Sequence, residues 1–208
     1  MKTLIATLLF IPFMGFAQYG RSPQFGAFAN AGLRDYTSGT AKVKSRYGLD
    51  IGLNVKHSTR NGVLRMVYGV GFIYDYYKRE YTSEDRYSIS ESKVNGVSIL
   101  FRPEFRILNK ERISMYIGIG PRFSHFYSFR EKSTVTENGV TTVQGWENRS
   151  YRELSYFGAH ISLSVDYKFA EHWALNLGLN AFTGFEFEFF GGDIFSGGNV
   201  TTGVAYIF

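Results

Sequence analysis

The 208-residue sequence contains no cysteine and only four prolines. Without cysteine, the chain can form no disulfide framework, no thiolate metal site and no lipidated cysteine anchor. Glycine, phenylalanine and tyrosine are abundant instead, with 23, 20 and 15 copies. A chain rich in aromatic residues and poor in helix formers favours strands over helices, and its length is typical of a single domain.

Long basic runs and long apolar runs are missing as well. The formal net charge is +5, but no cluster of five or more lysines and arginines appears, so we expect no nucleic-acid partner. An anionic lipid surface is the partner that this charge favours. Beyond residue 17, no uninterrupted apolar stretch approaches the ~18 residues that a transmembrane helix requires.

The first seventeen residues have the pattern of a secretory signal peptide. Lys2 supplies the positive charge, residues 4–16 are almost wholly apolar, and Gly15 and Ala17 are small residues at the −3 and −1 positions of a cleavage site. We therefore predict a signal peptide over residues 1–17, cleaved after Ala17, and one domain over residues 18–208. The alternative is a buried N-terminal helix. The exported domain would be either a soluble β-protein or a membrane barrel.

Residues 47–76 alternate between apolar residues and polar or small residues, as half-buried strands do. Asn61-Gly62 lies between the two halves and is a strong signal for a two-residue hairpin loop. Such a loop pairs Arg60 with Val63 and places apolar residues opposite each other, whereas a slip of one residue would reverse this. The expected cross-strand pairs are Val55–Tyr68, Leu53–Val70, Ile51–Phe72 and Leu49–Tyr74.

Two further hairpins and two single strands follow the same pattern. The predicted turns are Asn109-Lys110-Glu111 and Ala170-Glu171-His172, the first strand covers about residues 25–36, and the last covers residues 200–208. This makes eight strands. Pro103 and Pro121 fall inside strands, where each removes a backbone donor, so we expect a bulge or a local distortion at both.

Four features favour a membrane barrel over a soluble sandwich. Tight turns alternate with longer polar connections near residues 37–46, 79–92, 130–150 and 190–198. The polar face is rich in glycine, as the crowded inside of a small barrel requires. The chain ends on an alternating strand that closes with Phe208. Aromatic residues of the apolar face gather at two levels, the interfaces of a bilayer: Tyr74, Tyr76, Tyr127, Phe129, Phe185, Phe187 and Phe189, and Phe105, Tyr167, Phe169, Trp173, Tyr206 and Phe208.

A signal peptide, eight alternating strands, three short turns, four longer loops and a terminal phenylalanine resemble the small OmpA/OmpX-like, porin-family outer-membrane β-barrels. The resemblance implies an eight-stranded antiparallel transmembrane β-barrel of up-and-down topology in the outer membrane of a Gram-negative-type cell. It further implies contact with outer-membrane lipid and lipopolysaccharide, recognition of Phe208 by the barrel-assembly machinery, and a monomer. It rests on architecture, so it says little about activity.

The inward face of this barrel carries charges of both signs. An eight-stranded barrel is only wide enough for its side chains to fill, so these charges should pair and plug the interior. A narrow channel or small-ligand transporter is the alternative. The expected inward charges are Arg34, Asp50, Lys56, Arg65, Asp75, Arg102, Glu104, Arg106, Arg122, Asp166, Lys168, Glu186 and Glu188.

No residue pattern indicates catalysis. Gly118-Ile119-Gly120 lies mid-strand and is no dinucleotide loop. The four histidines lack metal-ligand spacing, and we expect His57 and His172 to be solvated and His160 to be an interior donor. His125 points to lipid near the long-loop rim, where barrel enzymes that trim lipid A hold a histidine, a serine and a carboxylate.

Such a triad would need a serine two residues away from His125 on the same face, but that position is Tyr127. Glu153 is a possible carboxylate neighbour, yet no nucleophile completes the set. We therefore predict no enzyme, no catalytic, cofactor-binding or metal-binding residues, and no cofactor. The expected function is a structural or interaction barrel that displays loops, with the channel and the lipid-modifying enzyme as alternatives.

The loop over residues 130–150 is β-branched on both sides of Asn138-Gly139. A two-residue loop there would give paired residue numbers an odd sum, while the flanking strands require an even sum if Phe129 and Phe157 both face outward. We therefore predict a hairpin with a three-residue loop that pairs Thr136 with Val140, a bulge elsewhere being the other remedy. A disordered polar loop is the alternative. The hairpin would offer an extracellular protein partner a surface for strand addition.

Overall fold

The computed structural model describes residues 23–37, 43–83, 86–148, 154–186 and 194–208. Within them are nine strands, all in antiparallel pairs. No helix among these residues is long and apolar enough to span a membrane. The strands are β1 (Gln24–Thr37), β2 (Val43–Ser58), β3 (Leu64–Ser83), β4 (Arg86–Asn109), β5 (Ile113–Glu137), β6 (Val140–Asn148), β7 (Leu154–Ala170), β8 (Trp173–Glu186) and β9 (Ile194–Ile207).

Eight of these strands close a ring. Strands β1 to β5 pair in sequence order, β5 then pairs with β7, and β9 pairs with β1. Strand β6 pairs with β5 beyond the ring. The predicted eight-stranded up-and-down barrel is confirmed. The predicted signal peptide over residues 1–17 lies outside the described residues and stays a prediction.

The register between β2 and β3 is the one that the hairpin signal predicts. All four expected pairs are present, and paired residue numbers sum as expected from Ser58–Arg65 to Ser45–Lys78, beyond which the register shifts at Val43. The turn itself is wider than predicted. Thr59 and Leu64 close it, Gly62 N donates to Thr59 O at 2.7 Å, and Gly62 has a left-handed φ of 68°. A four-residue loop around a type I turn shares its centre with the two-residue loop, so the register is unchanged.

The other two short turns have two-residue loops where three-residue loops were predicted. Lys110 and Ile113 exchange backbone hydrogen bonds, so Glu111-Arg112 form the loop. Ala170 pairs with Trp173 across a two-residue loop. In each hairpin a register shift close to the turn, between Arg106 and Leu108 or between Lys168 and Ala170, restores the parity of the ladder.

The apolar face points outward. Leu53 is 69% exposed and Phe72 is 67% exposed, while Asp75 and Glu104 are fully buried inside the ring. This inverted pattern is typical of a barrel whose solvent is lipid. The start of β1 and the end of β9 meet in an aromatic cluster at the short-turn end, in which Phe208 packs edge-on against Phe25. Its other contacts join Tyr206 to Phe208 and Trp173.

A bulge in β5 changes which residues face outward near the long-loop end. Asn95 pairs with Ser128, but the next residue, Gly96, pairs with Phe126, so Tyr127 is the extra residue. Tyr127 remains exposed, whereas Phe129 turns inward beside Tyr77. The predicted outward position of Phe129 is therefore wrong. Phe187 and Phe189 of the predicted aromatic level lie outside the described residues.

Pro103 and Pro121 both affect the seam between β4 and β5. The N–H of Arg106 points to β3, so odd-numbered positions of this part of β4, including Pro103, face β5. The carbonyl of Arg112 faces β7, so the backbone groups of even-numbered residues along this part of β5 point to β7 and those of odd-numbered residues, including Pro121, point to β4. The ladder has no pairs between Leu100–Arg122 and Glu104–Gly118, yet its register is unchanged. The expected distortion is thus an interruption of one seam without a bulge.

The outward parity predicts the effect of a charge on β3. Val70 is about half exposed and lies between Leu53 and Ile99 on the outward face, between the two aromatic levels. Val70→Arg should lower the free energy of unfolding in lipid vesicles by ~2–4 kcal/mol, because a charge there must enter hydrocarbon. Val143→Arg, the same change at an exposed position of β6, should cost under ~0.5 kcal/mol. Equal losses for both variants, measured by urea unfolding, would contradict the assignment of the lipid face.

Candidate functional site

A buried ionic network fills the middle of the barrel, and Glu104 of β4 is its centre. Glu104 is fully buried and accepts hydrogen bonds from Nε of Arg65, from Nε of Arg102 at 2.8 Å and from Oγ of Ser162 at 3.3 Å. Charge-assisted bonds of this kind are roughly twice as strong as neutral ones. One carboxylate therefore joins β3, β4 and β7 from the inside.

Asp166 of β7 is the centre of the part of the network that lies nearer the short-turn end. Its carboxylate accepts from Nζ of Lys56 at 3.2 Å, from Nη1 of Arg65 and from the amide of Asn176. The guanidinium of Arg65 also stacks on the ring of Tyr116, 3.4 Å from its centroid. These contacts add β2, β5 and β8 to the strands that the network connects.

Two glycines of β5 make room for the side chains of β4. Gly118 and Gly120 face inward between β4 and β7, and a Cβ atom on Gly120 would lie 2.1 Å from the carbonyl oxygen of Phe101. Across these glycines, Nη1 of Arg102 donates to Nδ1 of His160 at 3.0 Å. Any larger residue at these two positions would collide with β4.

Above the network, toward the long-loop end, the interior becomes apolar. Nη2 of Arg122 donates to Asp50 at 3.0 Å, and its guanidinium lies over the ring of Phe182. That ring belongs to a buried cluster of six side chains, against which Phe129 packs. The cluster consists of Ile73, Tyr77, Val94, Phe126, Tyr156 and Phe182. In the part of the chain that the structure describes, ionic and aromatic layers together occupy the barrel interior above its short-turn mouth.

The predicted pairing of inward charges is confirmed for the middle of the barrel, where five ion pairs occur. Arg106 and Lys168 lie instead at the short-turn mouth, half-buried and exposed respectively. Glu188 and the side chains of Arg34 and Glu186 are outside the described residues. The aromatic layer was missed in the sequence, although inward parity at Phe126 and Phe182 was a readable signal.

The predicted loop forms a β-hairpin, called the ribbon here, from residues 130–148 of β5 and β6. On its other edge, the β5 half of the ribbon also pairs with residues 86–93 of β4. The turn of the ribbon differs from the predicted three-residue loop. Glu137 pairs with Val140 around Asn138-Gly139, and both loop residues have positive φ, 49° and 79°, as a type I′ turn requires. The tight turn gives the odd sum that the sequence argument rejected.

A second bulge lies at the base of the ribbon. The ladder shifts between Ser133–Gln144 and Glu131–Glu147, which leaves an extra residue at Gly145-Trp146. The second remedy considered from the sequence, a bulge elsewhere, is the bulge at Tyr127, because with Phe129 facing inward the flanking strands require an odd sum. Nζ of Lys93, on β4, lies 4.4 Å from the centroid of the Trp146 ring, so a cation–π contact joins the bulge at Gly145-Trp146 to β4 on the other side of β5.

The second edge of β6 has no neighbour among the described strands. Residues 140–146 contain no lysine, arginine or proline, the residues with which proteins usually guard an edge strand. Val140 and Val143 are exposed. In a two-residue hairpin the residues that flank the loop bond to each other, so the backbone groups of Thr141 and Val143 point away from β5. The ribbon thus presents a free, unguarded strand edge.

One histidine, His57, lies in different surroundings from those expected. His57 is buried, with its ring against Tyr68, rather than solvated. His172 is exposed at a turn, as expected, and stacks on Tyr206. His160 is buried inside the ring, as expected, and its Nδ1 accepts a hydrogen bond from Arg102. Within the described residues, no three histidine, aspartate and glutamate side chains come together in a way that could hold a metal ion.

His125 has a serine partner that the sequence search missed. Nδ1 of His125 and Oγ of Ser155 are 2.9 Å apart and share a hydrogen bond, because the two residues are directly opposite on β5 and β7. The position considered for a serine in the sequence lies two residues away along the same strand, whereas Ser155 lies on β7, beyond the ribbon, and reaches His125 only through the register between β5 and β7. Glu153, the carboxylate considered from the sequence, lies outside the described residues.

The sequence matches no protein-family model and no curated protein. Solved structures do align with the fold. Neisserial surface protein A (NspA) aligns with a TM-score of 0.46 and 15% identity over 89% of this chain and 97% of its own. Ail, the attachment invasion locus protein of Yersinia pestis, aligns with a TM-score of 0.44 and 13% identity over 90% and 99%. The outer membrane protease OmpT from Escherichia coli aligns at 0.41 and 8% over 91% and 97%.

The ionic network predicts a large cost for neutralising its centre. Glu104→Gln keeps the size of the side chain but leaves Arg65 and Arg102 without their shared counter-charge, so the free energy of unfolding should fall by ~3–5 kcal/mol. Urea unfolding in lipid vesicles measures this loss. Glu137→Gln, at the exposed tip of the ribbon, is the matched control and should change stability by under ~0.5 kcal/mol. A small loss for Glu104→Gln would show that the network is not what holds the interior.

Proposed function

We propose that this protein is an integral outer-membrane β-barrel that displays the ribbon outside the cell, where the free edge of β6 binds an extended segment of a partner protein. Strand addition of this kind takes its affinity from main-chain hydrogen bonds and its specificity from alternate side chains. The unguarded edge at Thr141 and Val143 is the observation that carries the proposal. The filled interior supports display rather than transport.

The proposed location rests on the asymmetry of the two ends. Short turns lie at the periplasmic end of such barrels and long connections at the outer end. On β4 and β5, Lys93 pairs with Arg130 just beyond the level of Tyr74 and Tyr127. Two cations directly opposite each other are unfavourable unless anions lie nearby. This supports contact with the phosphates of lipopolysaccharide.

The proposed assembly route and oligomeric state also rest on the barrel itself. Phe208 is largely exposed at the closing seam, where it packs against Phe25 and Tyr206, and it is therefore accessible to the barrel-assembly machinery. The ring closes within one chain, so we propose a monomer in the membrane.

A second candidate function follows from the contact between His125 and Ser155. A serine hydroxyl within hydrogen-bond reach of an imidazole is the core of an acyl-transfer site, in which the histidine removes the hydroxyl proton as the oxygen attacks an ester. The pair lies on the outward face toward the long-loop end, where acyl esters of lipid are the available substrates. This supports a lipid-modifying enzyme as the alternative to display.

The display proposal predicts that the free edge of β6 is the binding element. The folded barrel is first used to select binding peptides from a displayed library of unstructured decapeptides. The selected peptides should slow amide exchange at Thr141 and Val143. Val143→Pro removes one donor from the free edge and leaves the bonds to β5, so these peptides should bind at least about tenfold more weakly. Val143→Thr keeps the donor and should retain binding. Peptides that bind Val143→Pro and the unmodified protein equally well would contradict strand addition.

The enzyme alternative predicts release of fatty acid from lipid by the purified barrel. Radiolabelled lipid A or phospholipid in mixed micelles is the substrate, and Ser155→Ala should reduce release to the background of micelles alone because the attacking oxygen is lost. Ser133→Ala, on the exposed ribbon, is the matched control and should keep full activity. If the unmodified protein releases no more fatty acid than empty micelles, the enzyme alternative is wrong.

A further inference from the structure

The short-turn end of the barrel contains a cavity of about 500 Å³. Its inner wall includes Asp166 and Tyr116, which belong to the ionic network, and its rim is formed by turn residues. A volume of this size lies within the range of small-molecule sites. The charged residues that line it are Arg106, Lys110, Glu111, Arg112, Asp166 and Lys168.

The cations at this mouth differ from those deeper in the barrel. Lys56, Arg65, Arg102 and Arg122 each have a carboxylate oxygen within 4 Å, as buried charges must. Among the described residues, no ion pair of that length involves the four cations of the cavity. The cavity therefore keeps a positive charge that its own residues do not compensate.

The two acidic residues of the cavity do not cancel this charge. Asp166 already accepts from Lys56 and Arg65, so its charge is neutralised within the network. Glu111 is exposed on the rim and is one acidic side chain against four basic side chains. The guanidinium of Arg106 donates to the carbonyl oxygen of Asn61 at 3.0 Å, which holds it at the mouth. Asn109 and Ser114, which also line the cavity, bond to each other.

We propose that this cavity binds a small soluble anion that carries at least two carboxylate or phosphate groups. Several cations around one concave site favour a multivalent anion over a monovalent one, because each additional anionic group can pair with a separate cation. The ionic and aromatic layers fill the barrel behind the cavity, so the anion enters and leaves by the same mouth. In the orientation proposed above, that mouth opens to the periplasm. The binding site itself does not depend on the function proposed for the ribbon.

Isothermal titration of the full folded chain in zwitterionic detergent tests the proposal. Pyrophosphate and citrate are the multivalent probes, and inorganic phosphate and acetate are the comparison anions. We expect saturable one-to-one binding of at least one multivalent probe, at least about tenfold tighter than that of either comparison anion. The affinity should fall as salt is added, because exposed charges are screened.

Three substitutions locate the site. Lys168→Gln and Arg112→Gln should each weaken binding about tenfold, whereas Lys132→Gln, on β5 in the ribbon, should leave it unchanged. Heat-modifiable migration in gels confirms that each variant is folded. The proposal is overturned if neither multivalent probe binds saturably, if Lys168→Gln and Arg112→Gln bind like the unmodified protein, or if Lys132→Gln weakens binding as much as they do.

Discussion

Backbone N–H and C=O groups cannot remain unpaired in hydrocarbon, and closure of the ring follows from that constraint. Every strand of the barrel has a neighbour on both sides, including β1 and β9, whose ladder runs from Gln24–Ile207 to Thr37–Ile194. Once the ring is closed, each residue faces either lipid or a narrow interior. The alternation along the chain, the glycines and the buried charges are all consequences of having only those two environments.

The narrow interior explains why its side chains are matched in size across strands. Arg102 and Glu104 are long, so the residues beside them on β5 are glycines, and the next residues along the same rows, His160 and Ser162, lie within hydrogen-bond reach. A buried ionic network is a costly way to fill space, since its charges must be removed from water. Its bonds are directional, however, and they join six strands in one arrangement.

Sequence reasoning predicts the barrel and the β2–β3 register because two independent signals agree there, the turn residues and the apolar alternation. It is wrong about Phe129 because one extra residue at Tyr127 reverses the parity of everything beyond it, and a bulge leaves no mark in the composition. The contact between His125 and Ser155 was missed because it depends on the register of strands that are distant along the chain. The predicted ribbon is confirmed, but its turn is the two-residue loop that Asn-Gly prefers. The bulge at Tyr127 makes the odd sum of this turn compatible with the flanking strands.

The two prolines concentrate their effect on one seam, and the ionic network crosses that seam. Pro103 lies between Arg102 and Glu104, at the point where the ladder between β4 and β5 is interrupted. The side chains of Arg102 and Glu104 both extend across β5 and form hydrogen bonds with residues of β7, so they bridge the seam on its inner side. At this level β4 is therefore connected around the ring by side-chain hydrogen bonds to β7, where backbone pairs with β5 are missing. Gly118 and Gly120 leave the space that these side chains need to cross β5. The barrel tolerates its prolines because hydrogen bonds in the interior stabilise the seam that the prolines interrupt.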